Sequence, residues 1–252
     1  MILRIVLLFL VLQLTTAFAQ TKSAATEFRT DALRTGANEY QVWSGYSPDS
    51  LSWIGKTEAR HLFMIGAGWR RVILATESVA WRFTADVVPA MLVSQPTITG
   101  SFATFTGTPP NFVFAGCVGP NTTFETVSNL AGQNLGPCAH PSRRTTYGLG
   151  LEPVGFDFNF RRRHRFQPVL GINGGFAKFP RDVPVSDSNS FNFTFSLRGG
   201  IQIFTSQSRS VTIGYRYHHI SNANTGNPFN PGIDSNFMYV GYSFQRLSFR
   251  TK

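Results

Sequence analysis

Charged residues make up only 14% of this 252-residue chain, and acidic side chains are the scarcer kind, 13 against 23 Lys and Arg. No stretch is apolar for long enough to cross a bilayer as a helix, which takes roughly 20 residues. The run Ile5 to Leu12 falls well short of that. Cysteine is confined to Cys117 and Cys138, and two thiols with only His140 nearby make a poor zinc set. The chain has no Gly-x-Ser-x-Gly elbow, no phosphate-binding loop and no dinucleotide fingerprint. A helical membrane protein is thereby excluded, and the familiar sequence signals of soluble hydrolases and nucleotide enzymes are missing.

What is present is phenylalanine and glycine, 24 and 23 residues, with a mean hydropathy of -0.06. That balance suits strands with one face on lipid and the other on a polar lumen. The start of the chain reads as an export leader over residues 1–19: Arg4, the apolar core Ile5 to Leu12, and the small-x-small site Ala17-Phe18-Ala19. Export argues against a nucleic-acid partner for the net charge of +10. An anionic membrane or a phosphorylated glycolipid fits better, though Arg and Lys lining a lumen and short turns account for most of the excess. In an oxidising compartment Cys117 and Cys138 are candidates for a disulfide that staples a loop.

After a polar lead-in over residues 20–38, expected on the periplasmic side, about eight segments alternate with the period of two that strands impose. The clearest is 191–203: Phe191, Phe193, Phe195, Leu197, Ile201 and Ile203 fall on one face, and Asn192, Thr194, Ser196, Arg198 and Gln202 on the other. A polar inner face carrying arginine points to a tilted membrane strand. Further segments lie near 39–47, 62–70, 78–93, 147–160 (with a bulge at Pro153), 166–172, 211–221 and 236–244. The reading is all-β: one eight-stranded antiparallel transmembrane barrel over residues 39–252. Its connections are long at one end (47–59, 94–145, 180–188, 222–235) and short at the other, the pattern of outer-membrane barrels. Residues 94–145 are expected to form a large external loop.

Chemistry concentrates at the end of the seventh segment. Val211, Ile213, Tyr215, Tyr217, His219 and Ser221 share the lipid-facing side. A base and a hydroxyl two residues apart on one face suit nucleophilic catalysis, which also needs a third group to orient the base. Asp234 has the parity of Met238 and Val240 and starts the neighbouring strand, so it is the candidate. Asn222 is a candidate oxyanion donor, and His218 faces the lumen. A nucleophile on a lipid-facing wall suggests a lipid substrate, its acyl chain lying along Tyr215, Tyr217, Met238 and Val240. No cofactor is required.

His219-Ile220-Ser221-Asn222-Ala223 followed by Asn230-Pro231-Gly232-Ile233-Asp234 resembles the lipid A 3-O-deacylases of the PagL family, over about residues 214–244. The resemblance implies an eight-stranded outer-membrane barrel that hydrolyses the acyl ester at the 3-position of lipid A. It implies Ser221 as nucleophile, His219 as base and Asn222 at the oxyanion hole. The family's usual acid is Glu in a Gly-Ile-Glu setting, where this chain has Asp234 after a loop one residue longer. The expected partner is lipid A or lipopolysaccharide of the outer leaflet, with pairing to a second copy left open. The competing readings are another outer-membrane lipid enzyme (a phospholipase or acyltransferase) and a non-enzymatic adhesive barrel.

Overall fold

A computed structural model describes residues 29–125, 136–225 and 230–246. The leader expected over 1–19 lies outside the described residues. Among the described residues ten strands run in chain order: β1 Asn38–Ser47, β2 Ser50–Leu51, β3 His61–Ala75, β4 Val79–Thr106, β5 Val113–Glu125, β6 Ala139–Phe160, β7 Phe166–Val183, β8 Asn189–Phe204, β9 Arg209–Ser221 and β10 Ile233–Arg246. All but β2 and β5 form a ring in the order β1-β3-β4-β6-β7-β8-β9-β10, which closes through β1–β10 pairing from Asn38↔Arg246 to Tyr46↔Met238. Every neighbouring pair is antiparallel. The fold is therefore a closed eight-stranded antiparallel barrel.

Its burial is inverted relative to a water-soluble protein. Along β8, Asn192, Thr194, Ser196, Arg198 and Gln202 are buried, while Phe191, Phe193, Leu197 and Ile201 are exposed. An apolar wall around a polar core is stable only where hydrocarbon replaces water outside. Aromatic pairs on that wall, Tyr40 with Phe244 and Trp81 with Phe158, stack at 5.5 and 6.1 Å between ring centroids. Alternation breaks where the strands bulge. The β6–β7 register slips between Leu151 and Val154, which places Pro153 in the irregularity.

The lumen is filled. Arg82 bonds Glu39 and Asp157 at 2.9 and 3.0 Å, Arg198 bonds Asp157 at 2.6 Å, and Arg216 pairs with Glu152. Toward one end this network gives way to an apolar plug that includes Trp43, Leu62, Met91, Phe179, Ile220 and Ile233. Gly148 leaves space for the plug, since a Cβ there would meet the Phe179 ring at 2.4 Å. At the other end Ala32 and Leu33 tuck in against Val72, Ala80 and Phe204. So part of the polar lead-in packs as core.

The structure corrects the expected loop at 94–145. β4 continues to Thr106, β5 pairs back along it from Thr97↔Glu125 to Thr106↔Val113, and β6 begins at Ala139. The described part is mostly sheet, an extension of β4 and β6 beyond the ring. Cys117 and Cys138 are bonded across it, Cα atoms 5.3 Å apart.

Candidate active site

The site lies where β9 ends and β10 begins. Antiparallel pairing sets His219 opposite Asp234 and, on the other side, Phe195 opposite His219 and Phe193 opposite Ser221. His219 and Ser221 thus share the outward face with the exposed ring of Phe193. Behind them Ile220 and Ile233 belong to the buried plug, a rigid backing for the outward groups.

His219 Nδ1 lies 2.6 Å from Asp234 Oδ1. A carboxylate only accepts, so Nδ1 carries the hydrogen and Nε2 keeps the lone pair that a base needs. Ser221 follows two residues along the same face, a strand rise of about 7 Å that an imidazole, a serine hydroxyl and the hydrogen bond between them can bridge together. His219 is only 13% exposed in its side chain and Asp234 is fully buried.

That burial corrects one feature of the sequence reading, a carboxylate presented to lipid. Asp234 is covered by the segment after β2. Backbone N–H groups of Trp53, Ile54 and Gly55 all donate to Asp234 Oδ2, at 2.9, 2.6 and 3.0 Å. Tyr217 O–H donates to Oδ1 at 2.8 Å. With His219, five donors surround one carboxylate. The covering segment is pinned to the strand: β2 pairs with Asp234 and Ser235, Thr57 bridges Ile233, and Thr57 Oγ1 donates to Gly232 O at 2.5 Å. The approach needs glycine on both sides. A Cβ on Gly55 would sit 2.9 Å from the Gly232 carbonyl carbon. Gly232, at φ +61°, would set a Cβ 3.2 Å from His219 Cε1.

Tyr217 is the second correction. Expected on the lipid wall, it is 5% exposed, with Trp53 lying 5.5 Å from its ring. Tyr215, Met238 and Val240 are open on the wall, 47, 65 and 49% exposed. From Val240 a shallow groove of about 440 Å³ continues between Val42, Ile65 and Tyr242.

Asn222 is fully buried, beyond the strand, where the chain turns. Its N–H donates to Asn230 Oδ1 at 3.1 Å, and its Oδ1 accepts from Asn224 N–H at 2.8 Å. The backbone amide is therefore engaged, and the side-chain amide is fixed in plane. His218 is buried in the lumen, 3.6 Å from Glu152 and edge-on to Phe237.

The sequence reading missed Trp53, Ile54, Gly55 and Asn230. Three of them act through backbone N–H groups, which no side-chain pattern announces.

The fold and these side chains define a membrane barrel that carries hydrolase-type groups on its outer wall. The chain belongs to the lipid A 3-O-deacylase (PagL) family, whose sequence model matches residues 51–243, and it is accordingly an ester hydrolase. Comparison with curated proteins gives no match. Among solved structures it is similar to the outer membrane enzyme PagL (15% identity, 81% of this chain and 98% of that one, TM-score 0.49). It is also similar to Neisserial surface protein A (16%, 83% and 98%, 0.39) and to the outer membrane protein OprG from Pseudomonas aeruginosa (9%, 85% and 99%, 0.41).

Proposed function

We propose that this barrel sits in the outer membrane and removes the 3-O-linked acyl chain of lipid A by a serine mechanism on its outer wall. The observation that carries the reading is the His219–Asp234 contact of 2.6 Å on the face that also presents Ser221. Family membership supplies the substrate class.

In this mechanism Nε2 of His219 takes the proton of Ser221 Oγ as the oxygen attacks the ester carbonyl. Asp234 stabilises the imidazolium that forms. By the family resemblance Asn222, the residue after Ser221, supplies the oxyanion donor. Collapse of the intermediate breaks the bond to the sugar oxygen, and His219 returns the proton to that alkoxide. Water, activated by the same imidazole, then releases the fatty acid from Ser221. Tyr215, Met238 and Val240 form the wall along which the acyl chain lies.

Mass spectrometry of lipid A from cells producing the protein, beside a Ser221→Ala control, tests this. Loss of one hydroxyacyl group, placed at the 3-position by fragmentation and dependent on Ser221, is the expected result. Identical lipid A from both, with both barrels folded, would refute it. Appearance of the acyl group on a second lipid would make the protein an acyltransferase instead.

A further inference from the structure

The third member of this triad is an aspartate held in an unusual way, and the holding has a consequence for specificity. We infer that the backbone of Trp53–Gly55, together with the Tyr217 hydroxyl, is a positioning clamp that fits the site to Asp at position 234 and rejects Glu. The inference rests on the triad reading above.

The argument is one of reach. Facing residues of an antiparallel pair have Cβ atoms about 4.5–5.5 Å apart. His219 and Asp234 are such a pair. A short acid therefore meets Nδ1 near the root of the imidazole without crossing the gap. Its second oxygen is then met by three N–H groups at 2.6 to 3.0 Å. These amides close the space into which one more methylene would push the carboxylate. The segment cannot retreat easily, because Lys56 N–H donates to Pro231 O at 2.5 Å and Thr57 is bonded to Gly232. Nor can it be raised by a larger residue at Gly55, which touches the Gly232 backbone.

The division of labour among donors also matters. Oδ2 takes the three amides, and Oδ1 takes His219 and Tyr217. With Oδ2 fixed, the plane of the carboxylate is set, and Oδ1 is aimed at the imidazole. A segment that only closed the rim would have no need to converge on one oxygen. The side chains of Trp53 and Ile54 are 77 and 64% exposed, so the segment's contribution here comes through its main chain.

Asp234→Glu, Ile54→Pro and Ser221→Ala, each folded in micelles, give the test by kinetics on purified lipid A and by the low-field NMR signal of the His219 Nδ1 proton. Ile54→Pro deletes the donor at 2.6 Å while replacing an exposed side chain. The clamp predicts that Asp234→Glu, although it keeps the charge, lowers kcat by about 100-fold with little change in KM, the scale of a small misplacement. Ile54→Pro lowers kcat by about 10-fold. The low-field signal, present in the wild type and in Ser221→Ala, is lost in both. An Asp234→Glu enzyme within about threefold of wild type, or an Ile54→Pro enzyme that keeps both its kcat and the signal, overturns the clamp. Full activity in Ser221→Ala would instead overturn the triad itself, so the two failures are distinguishable.

Discussion

Asp157 and Asp234 are both buried carboxylates, 1% and 0% exposed, and both are surrounded by donors. Asp157, in the lumen, is held by cations: Arg198 at 2.6 Å, Arg82 at 3.0 Å and Arg70 at 3.4 Å. Asp234, at the rim, is held by three amides, a phenol and an imidazole. Those three guanidiniums also serve Glu39 and Asp86, so the first charge is neutralised within a balanced cluster of three cations and three carboxylates. Neutral donors fix the second and leave its charge in place, available to an imidazolium forming beside it. One arrangement locks strands together across a barrel, and the other, in the proposed mechanism, prepares a base.

The contrast can be broken by substitution. The largest effect belongs to Ser221→Ala, expected to lower kcat for lipid A by more than about 1,000-fold without changing the heat-modifiable migration that marks a folded barrel. Asp234→Asn keeps shape but loses the charge, and should cost about 100-fold or more in kcat while the urea midpoint moves little. Asp157→Asn should do the reverse. Leaving three buried guanidiniums short of one partner costs about 3–5 kcal/mol of stability by denaturant titration, with kcat of the folded fraction within about twofold of wild type. Tyr217→Phe sharpens the comparison, because it removes one neutral donor from Asp234: a loss of about 1 kcal/mol and a fall of about fivefold in kcat are expected. Cys117→Ser with Cys138→Ser should be smallest in turnover, with protease cleavage of the β4–β6 extension as the readout that changes.

How much of this was legible in the sequence follows from what enforces it. Lipid on one side and a polar lumen on the other impose strict alternation, so the barrel strands stand out, as in Phe191 to Ile203. Parity also placed Asp234 beside His219, because facing positions on a hairpin share a side. Residues 94–145 lack that constraint. Beyond the ring neither face is obliged to be apolar, and register shifts at Gly100/Phe102 and Thr104/Phe105 scramble the period. The burial of Tyr217 was hidden for another reason. Its parity is that of the wall, but a segment more than 160 positions earlier, around Trp53, folds over it. Backbone donors such as Ile54 N–H leave no trace in residue types at all.

The filled interior has a kinetic consequence. With arginine–carboxylate pairs across the middle and Phe179, Leu62 and Met91 closing one end, the described residues leave the cylinder nothing for solutes to travel through. On the proposed reading, substrate and product come and go sideways, within the plane of the leaflet. Turnover would then follow the number of substrate molecules per unit of surface, not their number per unit of volume. Adding inert detergent or lipid at constant total substrate should slow the reaction by surface dilution alone, leaving the chemical step as it was.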